Sequence, residues 1–164
     1  GRSFWAGETD INSRSIGIEL DNRGDHPFSN KQMRALIALC GDIAGRNNIP
    51  AHRVLGHSDV AIGRKTDPGA RFDWRRLALS GVGVWPDLKT WHLNEAVEMD
   101  PVMGKDDPRL CAQFVKQAAD YGYDPSLGLE QILSSLRQHF APHRSGPLSR
   151  FDFALLAALN ALCN

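Results

Sequence analysis

Neither sign of charge predominates in this chain: 19 lysines and arginines balance 19 aspartates and glutamates, for a formal net charge of zero. Nucleic-acid binders normally carry a positive excess, so that class of partner is not expected. No apolar run approaches the roughly 18 to 20 residues of a membrane-spanning helix, so no membrane span is expected either. Cysteine is scarce. Cys40, Cys111 and Cys163 lie far apart with no CxxC pair, which gives no disulfide framework. Cys40 and Cys111 fall at apolar positions of helical patterns and read as small core residues. The chain starts at Gly1 without an initiator methionine or a signal-peptide pattern, so it reads as trimmed, with part of a domain expected upstream.

What is present fits a folded protein. A length of 164 residues allows one domain or two small ones, and 42% hydrophobic with 23% charged residues argues against disorder. Residues 1–13 read as an irregular opening segment. Ser15-Ile16-Gly17-Ile18-Glu19-Leu20 alternates with period two and predicts a strand with Ile16, Ile18 and Leu20 on one face. Ser29 and Gln32 form a capping-box pattern, and Met33, Leu36, Ile37, Cys40, Ile43 and Ala44 give the helix that follows one apolar stripe. A short strand is expected over Arg53-Val54-Leu55, and Asp73 can cap a helix from Trp74 to Ser80. This alternation is an α/β pattern.

Beyond Val82 the pattern changes. Residues 86–105 lack periodicity and read as a linker, and residues 106–164 carry three amphipathic helices. Asp107-Pro108 opens the first, which Gly122 can end; Leu129, Ile132, Leu133, Leu136 and Phe140 stripe the second; Ser149 with Asp152 starts the third. The expected organisation is therefore an α/β part over 1–85, a linker, and a small three-helix domain.

The chemistry concentrates in one loop. His57 to Gly69 places an imidazole, an ammonium (Lys65) and a carboxylate (Asp67) among Gly56, Gly63, Pro68 and Gly69. Imidazole plus carboxylate suits zinc, and a lysine nearby can stabilise an anion. Catalytic zinc sites usually draw three ligands from the protein, so a third is needed. Taken singly, each residue has a plainer reading: Asp67 as an Asx-turn cap before Pro68, Lys65 as a solvated charge, Glu19 as the wet face of a strand. Asp59 caps the loop more naturally than it binds metal. His26 and His52 read as surface or packing histidines.

The combination weighs differently. Ser15-Ile16-Gly17-Ile18-Glu19-Leu20, the run Gly56-His57-Ser58-Asp59 to Gly63-Arg64-Lys65-Thr66-Asp67-Pro68-Gly69, and Phe72-Asp73-Trp74 together resemble the zinc-dependent N-acetylmuramoyl-L-alanine amidases, in particular the bacterial anhydro-muropeptide amidases. The resemblance covers about residues 1–85. It implies a mixed β-sheet flanked by helices, shared with peptidoglycan recognition proteins. It also implies hydrolysis of the amide between N-acetylmuramic (or anhydromuramic) acid and L-alanine. By the same resemblance His57 and Asp67 are zinc ligands, Glu19 is the catalytic base and Lys65 assists the transition state. The first zinc ligand of that family is a histidine on an earlier strand, and no histidine here precedes His26. It is therefore expected upstream of Gly1, in a portion that remains associated as another chain or has been lost. Residues after about 105 resemble the three-helix peptidoglycan-binding modules appended to some of these amidases, with Tyr121-Gly122-Tyr123-Asp124 and Arg137-Gln138-His139-Phe140 carrying the likeness. Peptidoglycan or a muropeptide is the implied partner. The implied place is the periplasm or the cell wall, with the cytoplasm as the alternative. A non-catalytic peptidoglycan binder, or an inert fragment, is the rival reading.

Overall fold

Ser29 fixes the start of the longest helix. Its hydroxyl accepts the Gln32 backbone N–H, and α1 runs Asn30–Asn47 until Asn48 turns left-handed. The computed structural model describes residues 1–88 and 107–163. Within them, α1 lays Met33 and Leu36 against Phe72, Trp74, Leu77 and Val82, with Ile37 and Cys40 at the margin. Cys40 and Cys111 are thus half-buried edge residues rather than core ones. Asp73 caps α3 (Trp74–Leu79) by accepting from Arg76 N–H, as its position predicts. Between these helices stands one turn of helix, α2 (His57–Val60).

The strand expectations need correction. Residues 16–20 have no regular secondary structure, and Ile16 and Ile18 are 54% and 37% exposed. A strand exists only when a neighbour takes up its N–H and C=O groups, and no strand among the described residues pairs with this one. Arg53–Leu55 is likewise no strand; Ala51–Arg53 forms a 3₁₀ turn behind Pro50 and the chain then runs irregularly into Gly56. The one sheet among the described residues lies where an irregular segment was expected. β1 (Phe4–Trp5) and β2 (Glu8–Thr9) pair antiparallel, Phe4 facing Thr9 and Trp5 facing Glu8. A 3₁₀ turn over Ile11–Arg14 follows them. Ala6 and Gly7, both at positive φ, make the two-residue turn. The α/β class therefore holds in a coarser form, helices with one small sheet.

Tertiary packing explains the hairpin. Trp5 is buried edge-on between Tyr121 and Tyr123, and Ala6 N–H donates to the Gly122 carbonyl at 2.7 Å. Gly122 sits at φ +142°, and a Cβ there would stand 2.6 Å from the Trp5 indole. Only glycine allows that approach.

Among the described residues of the second half stand three helices: α4 (Pro108–Tyr121), capped by Asp107; α5 (Leu129–Phe140); and α6 (Arg150–Ala161), opened by the Ser149/Asp152 capping box. Phe114, Ala118, Ile132, Leu136, Leu155 and Leu159 are fully buried between them. Most of the expected linker, 89–105, lies outside the described residues. Leu55, Val60, Ile62, Trp85 and Leu88 all pack against the three-helix cluster, and Trp85 touches the α1 cluster as well, so the two cores adjoin. One ion pair is sealed inside. Arg137 Nε and Nη2 donate to the two carboxylate oxygens of Asp152 at 2.8 and 2.6 Å. Its remaining N–H groups reach the carbonyls of Gly146 and Pro147.

Candidate metal centre and active site

The loop that carries the chemistry closes on itself through the backbone. Ser58 N–H donates to the Asp67 carbonyl at 2.9 Å, which brings residues 57 and 67 side by side. His57 Nδ1 and Asp67 Oδ2 are then 3.0 Å apart. A carboxylate only accepts, so Nδ1 is the donor in this contact. Both side chains remain well exposed, 36% and 60%, so the pair is open to an ion and to a substrate.

These residues fit zinc as two of its ligands. An imidazole nitrogen and a carboxylate oxygen are donors zinc takes, and their separation is close to the roughly 3.3 Å edge of a tetrahedral site with bonds near 2.0 Å. Among the described residues no group of three His, Cys, Asp or Glu could hold a metal. His26 is exposed and paired with Asp25, and His52 lies half-buried in the 3₁₀ turn.

Glu19 and Lys65 are both exposed. Among the described residues neither side chain makes a hydrogen bond or ion pair, and none links Glu19 to the loop. The structure thus brings His57 and Asp67 together and leaves the other two free to meet something else. Asp59 does cap: its Oδ2 accepts the Gly56 N–H at 2.8 Å.

Asp59 also does what sequence reasoning missed. It is 1% exposed, and its carboxylate collects three side chains from the C-terminal half. His139 Nδ1 donates to Oδ2 at 2.7 Å, Tyr123 OH to Oδ1 at 3.2 Å, and Ser135 Oγ to Oδ1 at 3.5 Å. The His139 ring lies stacked between Trp74 and Phe140, each centroid 3.9 Å away. The available signal was Ser135 and His139 interrupting the apolar stripe of α5. A polar residue on a buried helix face needs a partner.

Burial first, and the Asp59 charge second, push the Tyr123 hydroxyl well above its usual value of 10.0; Tyr121 moves the same way, led by burial. Folded, both phenols keep protons that the unfolded chain releases near pH 10. Their contribution is therefore complete below about pH 10 and lost as pH rises further. Thermal melts should show Tm falling steadily above pH 10, and less steeply in Tyr123→Phe. An equal slope in that variant would contradict the assignment.

The family model for N-acetylmuramoyl-L-alanine amidase matches residues 1–70. The amidase AmiD of Escherichia coli is 35% identical over 158 residues, covering 87% of this chain and 55% of AmiD. The chain thus spans about half the length of that relative. The solved structure of AmiD in complex with anhydro-N-acetylmuramic acid-L-Ala-D-γ-Glu-L-Lys superposes with a TM-score of 0.81, covering 97% of this chain and 66% of that one. The structure of AMPDH3 from Pseudomonas aeruginosa gives 0.81 at 33% identity, covering 98% of this chain and 67% of that one. A common fold at one-third identity, sustained across nearly the whole chain, reflects shared descent: this chain belongs to the N-acetylmuramoyl-L-alanine amidase family.

Proposed function

We propose that this chain hydrolyses the amide between N-acetylmuramic, or anhydromuramic, acid and the L-alanine of a peptidoglycan stem peptide. The observation that carries the reading is the open His57–Asp67 pair, 3.0 Å apart, in a chain of this family. His57 and Asp67 are two zinc ligands of the three that a catalytic zinc usually takes from a protein, and among the described residues no third stands beside them. Zinc bound there would supply Lewis-acid polarisation and bring the pKa of water toward about 7. Glu19 takes the proton of the attacking water and returns it to the departing L-alanine nitrogen. Lys65 offsets the charge that gathers on the amide oxygen. The exposure of both side chains supports these roles, since each must reach a substrate.

The substrate held by AmiD in the matched structure supports a muropeptide here. Residues 106–164 are proposed to add affinity for peptidoglycan. The protein would work in the periplasm or at the wall, with the cytoplasm as the alternative. Among the described residues no helix is long and apolar enough to cross a membrane.

The test uses the protein as its cell makes it, loaded with zinc and offered an anhydro-muropeptide. Free stem peptide should appear, stop on chelation and resume when zinc is returned. His57→Ala should lose both zinc and turnover. Glycan binding without zinc or release would identify a non-catalytic binder on this scaffold instead.

A further inference from the structure

Helix α5 points one polar row at the loop that holds the ligand pair. Gln131, Ser135, Gln138 and His139 stand at i, i+4, i+7 and i+8, a single helical face. Each meets the loop at a different place. Ser135 Oγ donates to the Ser58 carbonyl at 3.0 Å, and His139 Nδ1 to the Asp59 carboxylate at 2.7 Å. Gln138 Nε2 donates to the Thr66 carbonyl at 2.9 Å. Gln131 Nε2 lies over Gly63, where a Cβ would stand 2.9 Å from it. Ser58 and Asp59 directly follow His57, and Thr66 precedes Asp67. The grip therefore falls on both arms of the loop, beside each of the paired residues but on neither.

We infer that this row of α5 is a clamp that sets the spacing of His57 and Asp67, so that Ser135, Gln138 and His139 are positioning residues for the metal centre. The inference rests on the zinc reading of that pair and adds to it a task for the C-terminal helices beyond wall affinity. Groups behind metal ligands commonly govern affinity by 10–100-fold when removed. Here they act through the loop backbone and through Asp59, which ties the N–H of Gly56 to α5. The Trp74–His139–Phe140 stack keeps the imidazole from turning away from Asp59.

Three variants separate clamping from general support of the fold. Gln138→Ala removes one donor from a half-buried side chain. His139→Phe keeps a ring in the stack but withdraws the donor, and His139→Asn returns a donor at the position of Nδ1. Arg144→Ala is the control, because it loses the stack of Arg144, in the connection after α5, on Phe151 of α6 without touching the loop. The readouts are zinc affinity by chelator competition, kcat and KM on the muropeptide, and amide exchange at Ser58 in the metal-free protein.

Gln138→Ala and His139→Phe should weaken zinc binding about tenfold and lower kcat with little change in KM. They should also speed exchange of the Ser58 amide, which bonds to the Asp67 carbonyl, relative to core amides such as Leu155. His139→Asn should recover part of each loss, and Arg144→Ala should leave zinc affinity and Ser58 exchange unchanged. The clamp is overturned if Gln138→Ala and His139→Phe lower Tm while zinc affinity and relative Ser58 exchange stay at wild-type values. It is equally overturned if Arg144→Ala shifts both readouts as far as they do. Failure of the zinc reading looks different: His57→Ala would leave zinc affinity intact. The exchange arm, which needs no metal, then still decides whether α5 holds the loop.

Discussion

Glu19→Ala is expected to lower turnover of a muramoyl-L-alanine amide by about 10²–10⁴-fold, the span usual for a positioned general base, while zinc stays bound. The substitution is clean because Glu19 is exposed and its side chain bonds to nothing among the described residues. Surface changes of that kind usually leave stability within about 0.5 kcal/mol. A fall in turnover without a fall in Tm or zinc content would therefore report the chemistry alone. Steady-state rates and metal content, measured on the same preparation, check it. Undiminished turnover would remove Glu19 from the proposed mechanism. Loss of zinc together with turnover would make it a ligand and not a base.

Asp152→Ala should cost about 3–5 kcal/mol, since it strands the Arg137 guanidinium in the core. Asp152 is fully buried, and its Oδ2 also takes the Ser149 N–H and hydroxyl, so the start of α6 loosens with it. For a chain of this size the loss corresponds to a Tm lower by roughly 10 °C or more. Replacing both partners, as in Arg137→Met with Asp152→Leu, should recover most of that, because the penalty arises from the orphaned charge. A denaturant melt of the single and double variants checks both statements. A double variant no better than Asp152→Ala would mean that the ties from Arg137 to Gly146 and Pro147 matter more than the charge.

How legible was this in the sequence? Elements held by neighbours close along the chain were plain. Ser29, Asp73, Asp107 and Ser149 each cap the helix whose start they announce, because a cap is a bond between residues two or three apart. The 15–20 strand failed for the opposite reason. Its alternation is real, but a strand is made by its neighbours, and none stands beside it among the described residues. The hairpin at Phe4–Thr9 was illegible because each of its strands is two residues long and Trp5 is held by Tyr121 and Tyr123, over a hundred positions away. At the candidate site, His57, Lys65 and Asp67 could be singled out together, since one loop carries them, and the structure brings the first and last side by side. Asp59 was read as a cap and nothing more. Its bonds to Tyr123, Ser135 and His139 span 64 to 80 positions, beyond the reach of any local pattern.

Those long spans have a bearing on how the protein is born. A ribosome delivers His57 and Asp67 early and His139 some 70 to 80 residues later, several seconds apart at ordinary synthesis rates. Until α5 leaves the exit tunnel, Asp59 has none of its distant partners, and the loop must wait as an unburied carboxylate beside two candidate ligands. The last third of the chain thus dictates when the loop at 57–69 can acquire its shape. A nascent chain stalled near residue 100 would hold both candidate ligands and still lack the helix that grips their loop.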